Sequence, residues 1–280
     1  MSISPEGVDV GGLIDMHIHT APDLSPRSLD DFDAARQAAE AGMRAIVLKS
    51  HITLTADRAA LAQALVPEVQ VFGGLTLNNA IGGLNPTAVE TALQLGARVI
   101  WMPTISALNH ALAHGGSSGI RIAPPGGELQ PSLLNILDLI GQQDAILATG
   151  HLSVPEIQAL VSAAQAAGIR RILVTHPEVP WVAMPASIQE ELRNKGVYFE
   201  RCFVSTTPSG GGVPLARIVA GIRRVGVGST VLATDLGQAA NPLPVEGLRA
   251  YVAALLAEGL SEGDIRLMAG ANPAWLLGLD

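Results

Sequence analysis

The sequence predicts an α/β chain folded as a single (β/α)8 TIM barrel spanning residues 1–280, and three observations carry that expectation. Short apolar runs alternate with longer helical patterns eight times. No composition shift or linker divides the 280 residues into two units, and a barrel of this kind typically takes about 250 residues. Three long loops rich in Gly and Pro, 104–131, 205–214 and 236–244, all follow the carboxyl ends of expected strands, where such barrels build their active sites. A doubly wound sheet is the alternative, although it rarely needs eight repeats of this regularity.

Strands are expected at 13–19, 45–51, 69–76, 98–103, 145–151, 171–176, 197–204 and 230–235. These runs are short and mostly apolar, as strands buried on both faces are. The helices between them are marked by their ends. Ser28 is placed to cap a helix that stops at Gly42, and Asn85-Pro86 supplies an N-cap and a first-turn proline for a helix stopping at Gly96. Ser153 precedes Pro155-Glu156 and an Ala/Leu-rich run that stops at Gly168. Further helices are expected at 57–66, 133–140, 188–195, 215–225 and 245–258, with two short ones near 262–269 and 273–277.

Composition narrows the function. Hydrophobic residues make up 48% and charged residues 15%, so there is ample apolar surface to bury and disorder is excluded for most of the chain. A formal charge of −8 and only 3% aromatics argue against a nucleic-acid partner, which needs a basic footprint or stacking platforms. The one cysteine, Cys202, excludes an intramolecular disulfide and a thiolate-rich metal site. The first ten residues carry no basic patch followed by an apolar stretch, and the uncharged run between Glu68 and Glu90 is broken by Asn, Pro and Gly. The expectation is a cytoplasmic protein with no membrane partner, acting on a small molecule and able to form a homo-oligomer.

The histidines concentrate the chemistry. His17 and His19 lie two apart near the end of the first strand, so period-2 alternation puts both on one face, within reach of one metal ion. His51 ends the second strand, His151 the fifth, His176 the sixth, and Asp235 the eighth. Even without His51, four imidazoles and one carboxylate gather at one mouth of the barrel. A lone histidine is usually a satisfied surface or core residue, but five metal-ligating side chains at strand ends point to a divalent metal site.

The run Asp15-Met16-His17-Ile18-His19 resembles the Asp-x-His-x-His signature of the amidohydrolase superfamily, and His151, His176 and Asp235 follow in that family's order. The closing run from Ala271 to Leu279 is similar to the last helix of many members. The resemblance covers essentially the whole chain. It implies a metal-dependent hydrolase in which His17, His19 and Asp235 hold one ion. His151 and His176 then hold a second ion or orient substrate. It further implies that Asp235 takes the proton from the attacking water and passes it to the leaving group. One or two divalent ions are implied, zinc first, with Mn, Fe, Ni and Co also suited to imidazole and carboxylate ligands.

The chain departs from the family at the bridge between two ions, since neither 69–76 nor 98–103 offers the usual lysine or glutamate. The nearest substitutes are Lys49 and Glu200. Lys49 can be carboxylated and bridge two ions, or remain a cation that grips a substrate oxygen, and the second role is preferred. Glu200, followed by Arg201, reads as half of a plain ion pair. Weaker substrate-binding candidates are His51, Arg27 (with Asp23, in the loop after the first strand) and His110 (with Asn109 and His114, in the loop after the fourth). Solvated loop roles compete with these. Asn78 and Asn79 read as a local turn. No Gly-x-Ser-x-Gly on a strand-to-helix turn supports a serine hydrolase, and Gly210-Gly211-Gly212 lacks the lysine-threonine pair of a phosphate loop. The expected reaction is hydrolysis of a C–N or C–O bond in a cyclic amide or lactone. Alternatives are a mononuclear metal-dependent decarboxylase or lyase, a phosphoesterase, and a non-catalytic metal-binding barrel.

Overall fold

Residues 4–124 and 126–279 are described by the computed structural model; residues 1–3, residue 125 in the long loop and residue 280 lie outside the described residues. The first sheet holds β1 (Ile14–His19), β2 (Ala45–Lys49) and β3 (Gln70–Phe72) in that order. The second holds β4 (Gly74–Thr76), β5 (Val99–Trp101), β6 (Ile146–Ala148), β7 (Ile172–Thr175), β8 (Tyr198–Cys202) and β9 (Thr230–Ala233), again in chain order. Every pairing is parallel.

Seven of the eight expected strands each contain one observed strand, whereas the expected strand at 69–76 is two. Gly73 breaks it. A Cβ at Gly73 would overlap the Thr55 backbone, and Thr55 fastens the kink instead: its hydroxyl donates to Leu48 O at 2.7 Å and its N–H to Gly74 O at 3.1 Å. At the other side, Asp235 N–H donates to His17 O (2.8 Å) and His19 N–H to Leu236 O (2.7 Å), joining β1 to the segment that leaves β9.

The helices follow their strands: α1 (Asp31–Glu40), α2 (Ala56–Leu65), α3 (Pro86–Gln94), α4 (Leu108–Ala113), α5 (Pro131–Gln142), α6 (Val154–Ala166), α7 (Ala186–Asn194), α8 (Leu215–Val225) and α9 (Pro244–Ala257). Then α10 (Glu262–Arg266) runs through a π-helical turn, Leu267–Ala271, into α11 (Asn272–Leu277). Asn85 caps α3, its side chain accepting from Ala88 N–H at 3.2 Å. The cap of α1 is Asp30 rather than Ser28: Asp30 Oδ1 accepts from Asp33 N–H at 2.8 Å, while Ser28 N–H is engaged by Gly237 O. Helix α4 lies inside the loop expected to be irregular, because six residues followed by a Gly-rich stretch give too short a periodic signal.

Among the described residues, three large apolar layers hold these elements, with a small fourth cluster around Cys202 and Leu236. Two lie between strands and helices, one built on residues such as Leu75, Ile100, Leu147 and Val174, the other on Ile46, Leu48, Ile218 and Leu232. The third lies on the opposite face of the strands, where Ile14, Ala45, Val47, Val99, Ile146, Leu173 and Val231 meet Leu276 and Leu277 of α11. The C-terminal helix therefore closes that layer, and Asn272 anchors it through Nδ2–H to Val227 O (2.8 Å) and Thr230 O (2.7 Å). Polar groups on this strand face occur beyond the apolar layer, at the carboxyl ends.

Candidate metal centre

The pleat of β1 changes phase in order to deliver two histidines to one place. Ile14 pairs with Ala45 and Asp15 with Ile46, but Ile18 pairs with Leu48 and His19 with Lys49, so one extra residue is inserted between. Met16 and His17 together oppose Val47. Before this β-bulge Ile14 faces the inner layer; after it His19 does, in register with Lys49. Bulges commonly re-aim side chains beside active sites. Asp15, pointing to the other side, is a bolt between strands. It accepts from Thr234 N–H (3.0 Å), Thr234 Oγ1–H (2.5 Å) and His17 N–H (3.2 Å), and burial pushes its carboxyl up to about 6.

Three imidazoles converge on Asp235. His17 Nε2 and His19 Nε2 lie 3.1 and 3.0 Å from Oδ1, and His176 Nε2 lies 3.2 Å from Oδ2. His176 immediately follows β7, Asp235 lies two residues beyond the end of β9, and both adopt left-handed backbone, φ 49° and 53°. Non-glycine residues held there store strain of order 1–3 kcal/mol, which persists where surrounding structure imposes it. Here Gly237 allows the approach, since a Cβ at that position would overlap His19 O. Burial alone would raise the Asp235 carboxyl, but His17 and the hydrogen bonds from the imidazoles hold it well below the usual carboxylate range.

Around this centre the buried groups divide by charge. Lys49 Nζ is 3.0 Å from His17 Nε2, and burial lowers its ammonium despite the opposing pull of Asp235 and Glu200. Burial would lower His17 as well, yet the Asp235 and Glu200 carboxylates outweigh it and raise the imidazole. His19 is pushed down to about 3 by burial. Trp101 lies under the site, its ring 5.4 Å from Lys49 Nζ.

Glu200 was expected to pair with Arg201, and it does not. Strand alternation sends neighbours to opposite faces. Glu200 Oε2 is 3.2 Å from His17 Nδ1, whereas Arg201 points outward to an ion pair with Glu178 and a 3.0 Å bond to Gln189 Oε1. A carboxylate can only accept here, so Nδ1 carries the hydrogen. Cys202, two residues on along the same face, lies 3.9 Å from that nitrogen, and burial first, then the carboxylate charges, keep its thiol protonated. The pairing parity along β8 was the available signal for Glu200.

The remaining candidates line or flank a cavity of about 310 Å³ above Asp235, bordered by His19, Lys49, His51, His110, His151 and His176. His151 does not reach Asp235. Its Nδ1 meets His110 Nδ1 at 2.9 Å, and its ring centroid is 5.7 Å from that of His176. His110 comes from α4, which Asn109 ties down through Nδ2–H to His151 O (3.1 Å) and Trp181 O (2.7 Å). His51 sits 4.7 Å, ring to ring, from His19, and burial lowers it well below the ordinary imidazole range. Arg27 is engaged by Asp23, with Nε and Nη2 at 3.1 and 2.7 Å from Oδ2, and does not border the cavity. Asn78 begins the expected local turn, its carbonyl accepting from Ile81 N–H at 3.0 Å, and its side chain also reaches across to His51 and Thr104.

The residues present fit a divalent cation. Three imidazole nitrogens crowd one carboxylate, the Lys49 ammonium lies against one of those imidazoles, and His19 Nδ1 and His176 Nδ1 are buried with no partner. His17, His176, Cys202 and Asp235 offer ligand atoms that all lie within 4.8 Å of one another. A mixed imidazole and carboxylate set of this kind suits zinc and its first-row neighbours.

The model of a family of unknown function, DUF6282, matches residues 12–200. The chain belongs to this family. The matched stretch of the DUF6282 chain includes His17, His19, Lys49, His151, His176 and Glu200, but ends before Asp235. No curated protein matches the chain. Among solved structures, an amidohydrolase from Pseudomonas aeruginosa is similar over 98% of both chains, at a TM-score of 0.68 and 13% identity. A lactonase from Listeria monocytogenes is similar over 98% of this chain and 96% of its own, at 0.63 and 10%. A dipeptidase described as a metallo peptidase covers 96% of this chain and 98% of its own, at 0.59 and 15%. The DUF6282 chain shares their fold.

Proposed function

We propose that the chain is a metal-dependent hydrolase of the amidohydrolase type, one (β/α)8 barrel that cleaves a C–N or C–O bond in a cyclic amide or lactone. The observation that carries this reading is the convergence of His17, His19 and His176 Nε2 on the single Asp235 carboxylate. The fold shared with an amidohydrolase and a lactonase supports it, as do the hydrogen bonds between β1 and the segment after β9, which suit a closed barrel. A cavity of about 310 Å³ suits a small substrate.

His17, His19, His176 and Asp235 would hold the ion, zinc by preference, with His151 at the edge of the set for a second ion or for substrate. Such an ion supplies Lewis acidity, lowering the pKa of a water and polarising a carbonyl. Asp235, held ionised by its neighbours, accepts the proton from the attacking water and returns it to the leaving atom. Lys49, on the same face as His19, grips an anionic or polarised oxygen of the substrate. Glu200 keeps the hydrogen of His17 on Nδ1 and so frees Nε2 as a ligand.

Trp101 occupies the inward position on β5, where neither a lysine nor a glutamate is available to bridge two ions. That favours a single ion, and with it a second reading as a mononuclear decarboxylase or lyase. A panel of lactones, cyclic amides and β-keto or aromatic acids, assayed with zinc- and manganese-loaded protein, separates the two. Hydrolysis that falls by about 10²–10⁴-fold in Asp235→Asn is the expected result. Release of CO₂, or metal-replete protein without turnover on the panel, would contradict hydrolysis.

A further inference from the structure

We infer that His51 is a hydrogen-bond donor to a substrate oxygen, and that a buried relay from Asn78 through Thr104 fixes it in that role. The orientation of the Asn78 amide is unambiguous. Its Oδ1 accepts from two backbone donors, Thr104 N–H at 2.9 Å and Ser106 N–H at 3.2 Å, so the other end is the NH₂ group. That group donates both its hydrogens, to His51 O at 3.1 Å and to Thr104 Oγ1 at 2.8 Å. Thr104 is fully buried. Its hydroxyl, already an acceptor from Asn78, has one remaining side-chain partner, His51 Nδ1 at 2.9 Å. If Nδ1 carried the hydrogen, the Thr104 O–H would be left without an acceptor in the interior, at about 1–3 kcal/mol for an unmade buried bond. The hydroxyl therefore donates to Nδ1, and the hydrogen of the imidazole sits on Nε2.

Nε2 has no protein partner among the described residues, and His51 borders the cavity above Asp235. It also follows Lys49 by two residues beyond β2, and both border the same cavity. Together they form a paired N–H and ammonium site for an oxygen of the substrate, a carbonyl that gains charge during the reaction or a fixed carboxylate. Donors aimed at developing charge in a dry site are among the larger contributors to catalysis. Asn78 and Thr104 are positioning residues; they act through His51. The substrate oxygen rests on the hydrolase reading above, whereas the tautomer rests on the relay alone.

The test is the tautomer itself, read by two-bond nitrogen–proton correlation in protein labelled with ¹⁵N-histidine, both metal-free and zinc-loaded, with His51 assigned from the His51→Gln spectrum. The wild type is expected to show His51 as the Nε2–H form in both states. Thr104→Ser keeps it, and Thr104→Val, which removes the donor to Nδ1, moves the Nδ1 resonance towards that of a free acceptor nitrogen. A wild-type spectrum with Nδ1–H, or a Thr104→Val spectrum identical to wild type, would overturn the relay. Absence of metal binding or turnover would instead refute the hydrolase and leave the tautomer readable.

Discussion

Glu200 shows how a single carboxylate sets the properties of a neighbouring imidazole. Its Oε2 sits 3.2 Å from His17 Nδ1 with both side chains fully buried, so it fixes both the ring orientation and the position of the hydrogen. Loss of such a partner typically weakens metal affinity 10–100-fold, and Glu200→Gln is expected to do so while leaving the fold in place. Competition with a calibrated chelator measures it; unchanged affinity would show that His17 needs no such support. Lys49 poses the other residue-scale question. Its Nζ lies beside His17 Nε2 and over Trp101, and no carboxylate or lysine stands on β5 to share a bridging role. Lys49→Ala is expected to retain its metal and lose kcat/KM. Metal loss in that variant, restored in part by short-chain carboxylic acids, would point to a bridging carbamate. Both residues stand out in the sequence as substitutes for the missing bridge, but only Lys49 keeps a site role there. Adjacent opposite charges at Glu200 and Arg201 suggested an ion pair, and only the parity of β8, with Cys202 on the same face, separates them.

At the scale of elements, the site is made by departures from regular strands. The bulge in β1 brings His17 and His19 into phase with Lys49, and left-handed backbone turns His176 and Asp235 inward. The strand ends themselves were visible in the sequence because each apolar run stops at a polar residue. The bulge was not, since an extra residue is defined only against the partner strand. Helix α4 was missed for its shortness, yet it brings His110 against His151. Burial, helped by His114, pushes the His110 imidazole down to about 4, below its ordinary value of 6.5. The unfolded chain therefore binds a proton between pH 6.5 and 4 that the folded chain refuses, so stability is retained above 6.5 and falls with pH through that window. His110 is half-exposed, and solvent screening keeps its share modest. Denaturant titrations of His110→Gln should show a shallower loss of stability between pH 6.5 and 4 than wild type. Parallel curves would show that His110 titrates alike folded and unfolded.

For the whole molecule, alternation of strands and helices was legible because parallel strands buried on both faces leave continuous apolar runs. The break at Gly73 was hidden, since it depends on Thr55 arriving from another loop. The placement of α11 under the inner layer was likewise beyond a one-dimensional pattern. This architecture brings together candidate ligands from β1 and from just beyond β7 and β9, more than two hundred residues apart in sequence from His17 to Asp235. The metal they would hold is the central claim, and it is tested most directly by counting it. Elemental analysis of protein purified without chelators and reconstituted with zinc or manganese should find at least one divalent ion per wild-type chain, and far less in an Asp235→Ala, His19→Ala double variant that keeps its fold. Wild-type protein that stays substoichiometric after reconstitution, or a double variant that binds as much as wild type, would contradict it.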